Sequence, residues 1–135
     1  MSALALARAA QALVGTRFRL NGRDPATGLD CIGLLAAALA AIGRSAPLPS
    51  GYTLKLRNLD RWLPDAAACG FASTTGQIIP GDVVLLELGP CQQHLAIAAE
   101  AGRFIHAHAG LHRVVEGSGQ LPGAVLLHWR MLPTD

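Results

Sequence analysis

One cysteine and two histidines in this chain have the types and neighbours that acyl-transfer chemistry requires. Cys31 follows Asp30 and opens the apolar stretch Cys31-Ile-Gly-Leu-Leu-Ala-Ala-Ala-Leu-Ala-Ala-Ile, which predicts a buried helix. A cysteine in the first helical turn sits among backbone N–H groups that have no intrahelical acceptor. The positive end of the helix dipole favours a thiolate there. The same N–H groups, that of Cys31 first, can hold an oxyanion formed on a substrate carbonyl. A nucleophile and half of an oxyanion hole therefore coincide at one position. His94 opens a predicted strand, and His106 lies on the strand that returns from the turn at Ala101-Gly102. Alternation puts His94, Ala96 and Ala98 on one face, and likewise Phe104, His106 and His108. The small alanines predict that the Cys31 helix packs on that face. His94 can then act as general base on the thiol while a second histidine orients it. Taken singly, each of these residues is more commonly a packing residue, and it is their combination that points to chemistry.

The elements that position them read as helices first and strands afterwards. Ser2 predicts an N-cap for a helix over 3–14, with Leu4, Leu6, Leu13 and Val14 as its apolar surface and Gly15 as its end. Residues 15–30 are rich in Gly, Asn, Asp and Pro and read as an irregular loop. Gly43 is a natural stop for the Cys31 helix. Residues 44–57 read as a second loop, and Asn58 as the cap of a short helix to Ala68. Pro80-Gly81-Asp82 is a turn. Strands are expected at 83–88, 94–100, 103–108, 113–116 and 124–129. Two or three helices followed by about five antiparallel strands define an α+β fold in a single domain over 1–135.

Three blocks of this chain resemble the NlpC-type cell-wall cysteine peptidases. They are Gly15-Thr-Arg-Phe-Arg-Leu-Asn-Gly with Gly28-Leu-Asp-Cys-Ile-Gly-Leu, then Pro80-Gly-Asp-Val-Val-Leu-Leu, then His94-Leu-Ala-Ile with Gly102-Arg-Phe-Ile-His-Ala. Together they run from about residue 5 to 130 in the family's order. The resemblance implies a papain-like fold, with the nucleophile helix packed on an antiparallel sheet. It implies hydrolysis of amide bonds in peptidoglycan stem peptides, of the γ-D-glutamyl to diamino acid type, without a cofactor. Matched by position, Cys31 is the nucleophile, His94 the general base and His106 the polar residue that orients it, with His108 as a second candidate for that third role. Asp30 matches the acidic residue that binds the substrate's amino terminus, and it also suits a helix N-cap. Phe18 stands where relatives carry a tyrosine at the substrate, and Ile32 where a serine follows the nucleophile. Both departures bear on substrate preference. The form Gly28-Leu-Asp-Cys-Ile-Gly-Leu is similar to the branch encoded with phage tails and gene-transfer agents, whose hydrolase belongs to the tail tip. The partners so implied are a peptidoglycan peptide and tail or tail-hub proteins.

Composition sets the outer limits. Hydrophobic residues make up 51% of the chain and charged residues 15%, which excludes a disordered chain. Aromatics are 4%, so the core must be built from Ala, Leu, Ile and Val. The net charge of +2 offers no footprint for nucleic acid. The longest apolar run is too short for membrane insertion, and the N-terminal stretch, interrupted by Arg8, reads as a helix and not a signal peptide. The expectation is a protein made in the cytoplasm and carried to the cell wall by a virion or tail-like particle. Cys31, Cys69 and Cys91 form no disulfide framework. Cys69 reads as filler and Cys91 as a loop thiol. Cys91 with His94, His106, His108 and His112 offers a rival zinc set, at a spacing that matches no standard finger. Arg17, Arg19 and Arg23 can receive carboxylates of an acidic peptide, or form a solvated loop face. His128 beside Trp129 reads as structural and His112 as a surface residue. Two other functional classes stay open at this point: a non-catalytic structural subunit of a tail assembly, and another thiol amidase or acyltransferase on the same scaffold.

Overall fold

The N-terminal segment folds as a helix over Ala3–Gln11 (α1) that buries Leu6, Ala7 and Ala10. It ends at Gln11 and not at Val14, because Leu13 and Val14 bond back three residues, to Ala10 and Gln11, and tighten the chain into a turn. Val14 is consequently exposed, a correction to its expected place on the apolar face. These and the following features come from a computed structural model, which describes residues 3–44, 70–89, 92–118, 121 and 123–132. The expected cap Ser2, most of the loop over 44–57, the short helix to Ala68, and Cys69 and Cys91 lie outside the described residues.

The loop after α1 is ordered by two short strands, Arg23–Asp24 (β1) and Gly28–Leu29 (β2), paired antiparallel. The Cys31 helix follows as Cys31–Ala41 (α2), with Asp30 as its N-cap. Its other end closes as a Schellman motif. Gly43 takes φ +81°, its N–H bonds to the Ala40 carbonyl, and the Arg44 N–H bonds to that of Leu39. The helix is buried over Cys31–Leu35 and at Ala38 and Leu39, whereas Ala40 and Ala41 reach solvent. An apolar helix can leave such positions bare when they are alanine, which loses little by exposure and is the best helix former.

Six further strands make one antiparallel sheet: Phe71–Ser73 (β3), Val83–Gly89 (β4), Gln92–Ala98 (β5), Arg103–His108 (β6), Arg113–Ser118 (β7) and Ala124–Met131 (β8), in the order β3-β8-β4-β5-β6-β7. About five strands were expected. The sixth is β3, three residues held at the edge by pairing with the end of β8. β5 starts at Gln92 and ends at Ala98, and Glu100 belongs to the turn that leads to β6. That turn is the tight one expected at Ala101-Gly102: both residues have positive φ, 60° and 71°.

Which sheet face receives the helices is the main correction. Leu95 and Ile97 of β5, Ile105 and Ala107 of β6 and Val114 of β7 pack with α1 and α2 around Leu34, Leu35 and Leu39. Ala96 lies on the other face, with Val84, Leu86 and half-buried Phe104. On β5 the bulky Leu95 and Ile97, not the small alanines, meet the helices, because α2 brings leucines whose burial needs partners of comparable volume. Among the described residues the buried apolar core is Ala, Leu, Ile and Val apart from Cys31, Phe71 and Met131, as the composition required.

One glycine contact joins the loop to α2. A Cβ on Gly33, in the first turn of α2, would fall on the carbonyl oxygen of Gly22. Gly33→Ala is therefore expected to push the loop off the helix, at a cost of about 2 kcal/mol or more. The check is a fall in thermal midpoint; an unchanged midpoint would show that the loop yields freely.

Candidate active site

Cys31 is 4% exposed, at the N-terminus of α2 where helix, loop and sheet meet. Asp30 organises this junction. Its carboxylate accepts the Gly33 N–H at 2.8 Å and the Asn21 N–H at 2.7 Å and pairs with Arg23 at 3.4 Å, so one buried side chain caps the helix and ties down the loop. The Asp30 carbonyl takes the Leu34 N–H at 2.8 Å. The backbone N–H groups of Leu95, Ile32 and Cys31 favour a thiolate at this position. No hydrogen bond joins the Cys31 thiol to His94: the expectation that the helix packs on the His94 face and lets that ring reach the thiol is corrected, because α2 packs on the face of Leu95 and Ile97.

The histidines are brought together as the topology required. His94 Nε2 and His106 Nδ1 are 3.2 Å apart, with the rings edge to face. His108 is the third ring, tilted against His106 at 5.6 Å between centroids. Its Nδ1 accepts the Leu111 N–H at 3.0 Å, so it closes the turn over 109–112, and it is His106 that touches His94. His94 makes no other hydrogen bond among the described residues. Nδ1 is therefore the ring nitrogen left to exchange a proton.

Electrostatics correct the expected resting state of Cys31. Burial pushes its thiol up to about 12, helped by the Asp30 carboxylate, and outweighs the Leu95, Ile32 and Cys31 N–H groups that favour the thiolate. Burial also pushes His94 down to about 4, with His106 and His108 adding to the shift. His106 is lowered too, by burial first and then by His108. At neutral pH the site holds a thiol and neutral imidazoles, not an ion pair. The helix dipole does not suffice to ionise a cysteine so far from water.

The remaining expected residues flank this centre. Phe18 is half-buried against the core, and its N–H bonds to the His112 carbonyl at 2.9 Å. Arg19 is exposed, its backbone bonded to Leu29 at 3.2 Å, and Arg17 is exposed one position before Phe18. Arg23 is committed to Asp30. Among the described residues no group of three or more Cys, His, Asp or Glu could hold a metal ion, and no helix is long and apolar enough to cross a membrane.

A second polar cluster was not foreseen. Asp82, fully buried at the start of β4, takes a bond of 2.6 Å with His128 Nε2, two of 3.0 Å from Arg130 and one of 3.0 Å from the Ile79 N–H. The available signal was an acidic residue directly after Pro80-Gly81, with His128 and Arg130 at the alternate spacing that puts both on one strand face.

Comparison with solved structures places this arrangement. The NlpC/p60 domain of the peptidoglycan hydrolase SagA is 26% identical, covering 98% of this chain and all of that one, with a TM-score of 0.64. The P60 domain of an antigen from M. avium subspecies paratuberculosis is 18% identical over 98% of this chain and 96% of that one, with a TM-score of 0.66. NlpC1 from Trichomonas vaginalis is 20% identical over 94% of this chain but 44% of that longer one, with a TM-score of 0.64. The last two likenesses bear on the fold, a papain-like α+β arrangement with helices packed on an antiparallel sheet. No curated protein matches the chain. The family model described as NlpC/P60 matches residues 15–122, a span that contains Cys31, both paired histidines and the Asp82 turn, and the chain belongs to the NlpC/P60 family.

Proposed function

We propose that the chain is a cysteine endopeptidase that hydrolyses γ-D-glutamyl–diamino acid amide bonds in peptidoglycan stem peptides. The observation that carries this reading is a cysteine at the N-terminus of α2 in a fold whose sheet pairs the imidazoles of His94 and His106 at 3.2 Å. Family membership supports the cysteine-peptidase class, and the likeness to a peptidoglycan hydrolase supports the polymer.

The chemistry follows from the neutral resting state. Cys31 Sγ attacks the scissile carbonyl carbon while its proton passes to His94 Nδ1, and the carbonyl oxygen becomes an oxyanion facing the Cys31 and Ile32 N–H groups. For Nδ1 to accept, the His94 hydrogen must start on Nε2, where it donates to His106 Nδ1. His106 so fixes the tautomer and steadies the imidazolium. The C–N bond breaks as His94 returns the proton to the leaving amine. Water then attacks the thioester carbon, giving its proton to His94, and the carboxyl product leaves as Sγ regains a hydrogen. Asp30 serves by fixing the helix start beside the substrate's amino terminus, and Phe18 and Arg19, on the loop before Cys31, are assigned to substrate contact by position. The further placement is a tail-like particle acting at the cell wall, supported by the form Gly28-Leu-Asp-Cys-Ile-Gly-Leu around the nucleophile.

Digestion of purified sacculi, with products read by mass spectrometry, tests the reading. The expected result is release of peptides cut at the γ-glutamyl bond by the native chain and none by Cys31→Ala. Sacculi left intact by both would put the non-catalytic structural subunit ahead.

A further inference from the structure

The sheet face that carries the paired histidines also carries a row of cations. In the β6–β7 ladder His106 stands opposite Val115 and His108 opposite Arg113, so these side chains leave one face. Arg113 is in turn opposite Arg17 through an isolated antiparallel bridge. Two arginines directly opposite start about 5 Å apart at Cβ, an arrangement that costs stability by repulsion. Nothing in the described structure offsets it. Both are exposed, and no acidic side chain among the described residues pairs with either. The nearest acid along β7, Glu116, is engaged by Arg103 at 3.7 Å, and Asp30 is engaged by Arg23. The backbone holds the pair in place. Gly15 donates to Val114 at 2.8 Å, Val114 donates to Thr16 at 2.8 Å, and the Arg17 carbonyl accepts the Leu29 N–H at 2.8 Å, two residues before Cys31. Arg17 is thereby fixed between β7 and the segment that delivers the nucleophile.

We propose that Arg17 and Arg113 form a carboxylate-binding subsite beside the Cys31–His94–His106 centre, which selects peptides bearing a free carboxylate next to the scissile amide. Two planar guanidinium forks carried on directly opposed residues suit a carboxylate, whose charge would relieve their repulsion and whose two oxygens can each accept from a fork. The inference rests on the peptidase reading for its substrate, a γ-glutamyl–diamino acid peptide. That peptide offers two sources for the group: the α-carboxylate of the glutamyl residue and a carboxylate of the diamino acid.

Binding to the Cys31→Ala protein tests the subsite without relying on turnover. Calorimetric titration would use the γ-glutamyl–diamino acid peptide with both carboxylates free and two versions amidated at one or the other. The expected result is about tenfold weaker binding when one of the two is amidated, which identifies the group that is read. Arg17→Gln with Arg113→Gln should abolish that preference and leave affinity for the amidated peptide unchanged. Arg8→Gln, at an exposed arginine that pairs with Glu100, should keep it. Equal binding of all three peptides, or a preference that survives the double substitution, overturns the subsite. So does an equal loss in Arg8→Gln, which would trace the effect to net charge. Should the native chain cleave none of the peptides while the carboxylate preference holds, the subsite stands and the hydrolase reading falls.

Discussion

His94→Ala is expected to lower kcat/KM for peptide cleavage by about 10⁴-fold while the fold persists, because it removes the base proposed for a thiol that is not ionised at rest. The size of the effect follows from the burial of Cys31. A cysteine with an ordinary thiol would retain some thiolate at neutral pH and some activity without its histidine. With the thiol pushed up to about 12, almost none is ionised, and proton removal must accompany attack. His106→Ala removes only the group that orients His94 and is expected to cost about 10²-fold, with partial recovery in His106→Asn. The pH profile separates this arrangement from a resting ion pair. The base must be neutral, and His94 is pushed down to about 4, so kcat/KM should stay level well below pH 6.5 before its acid limb begins. Alkylation of Cys31 should likewise show its inflection far above the ordinary value near 8.5. An acid limb at the ordinary histidine value, or a Cys31 that alkylates like a free thiol, would show a solvated and unorganised site. Full activity in His94→Ala would remove that residue from the mechanism.

The depressed histidines also bear on stability, and the sign is fixed. A histidine whose folded pKa lies below its unfolded one binds its proton more readily in the unfolded chain. Stability therefore falls as pH drops from about 6.5 towards about 4, the window set by His94. Catalytic readiness and acid tolerance come from the same burial and pull in opposite directions.

The parts of this molecule that were legible in sequence are those in which a local signal and a tertiary demand agree. Asp30 before an apolar run predicted a capped helix, and Gly43 its end, because capping is decided by residues next in sequence. The turn at Ala101-Gly102 followed from conformational preference at two positions, and it alone sets β6 back against β5 and His106 near His94. What was not legible depended on volume and distance. Alternation put His94, Ala96 and Ala98 on one face, but it could not say that the helices would choose the face of Leu95 and Ile97. That choice is made by leucines of α2 some sixty residues earlier. The ionisation of Cys31 was misjudged for a related reason. The dipole is read from helix position, whereas desolvation is known only once the loop held by Gly22 and Gly33 is seen to close over the thiol's end of the helix. β3 was too short to announce itself, and exists as a strand only because β8 offers it an edge.

Asp82→Asn is expected to cost about 3 kcal/mol or more of folding stability and to lower the thermal midpoint by about 10 °C or more, with little change in activity per folded molecule. Asp82 is wholly buried, so its carboxyl is pushed up by desolvation. Arg130, the Ile79 N–H and His128 more than reverse this and hold it below the ordinary aspartate value. The bonds are cooperative in space. Arg130 grips both carboxylate oxygens and also reaches the Gln77 carbonyl at 2.9 Å, while the Asp82 backbone accepts the Ala98 N–H at 2.8 Å. One side chain thereby fastens the 77–79 segment, β4 and β8, and its backbone fastens the end of β5. Asn offers one neutral oxygen and an NH2 donor where Asp82 offered two charged oxygens, so an arginine and a histidine, 36% and 8% exposed at the side chain, lose part of their acceptor in a place where water substitutes poorly. The pH dependence has the opposite origin from that of the histidines. A carboxyl with a lowered folded pKa contributes stability that is present above its unfolded value of about 3.8 and is lost as pH falls through the folded one. At neutral pH the whole contribution should therefore be in force, and the substitution should be felt there in full. Chemical denaturation of Asp82→Asn, Arg130→Gln and the double variant measures it. A double variant scarcely less stable than either single one is the expected coupling, and Asp82→Asn unfolding at the native midpoint would show that the network is ornamental. Because His94 lies at the far end of β5 from Ala98, the active-site geometry should survive in whatever fraction remains folded. Loss of stability without loss of kcat/KM in that fraction is the signature that distinguishes this aspartate–histidine–arginine cluster from the paired histidines proposed to act in catalysis.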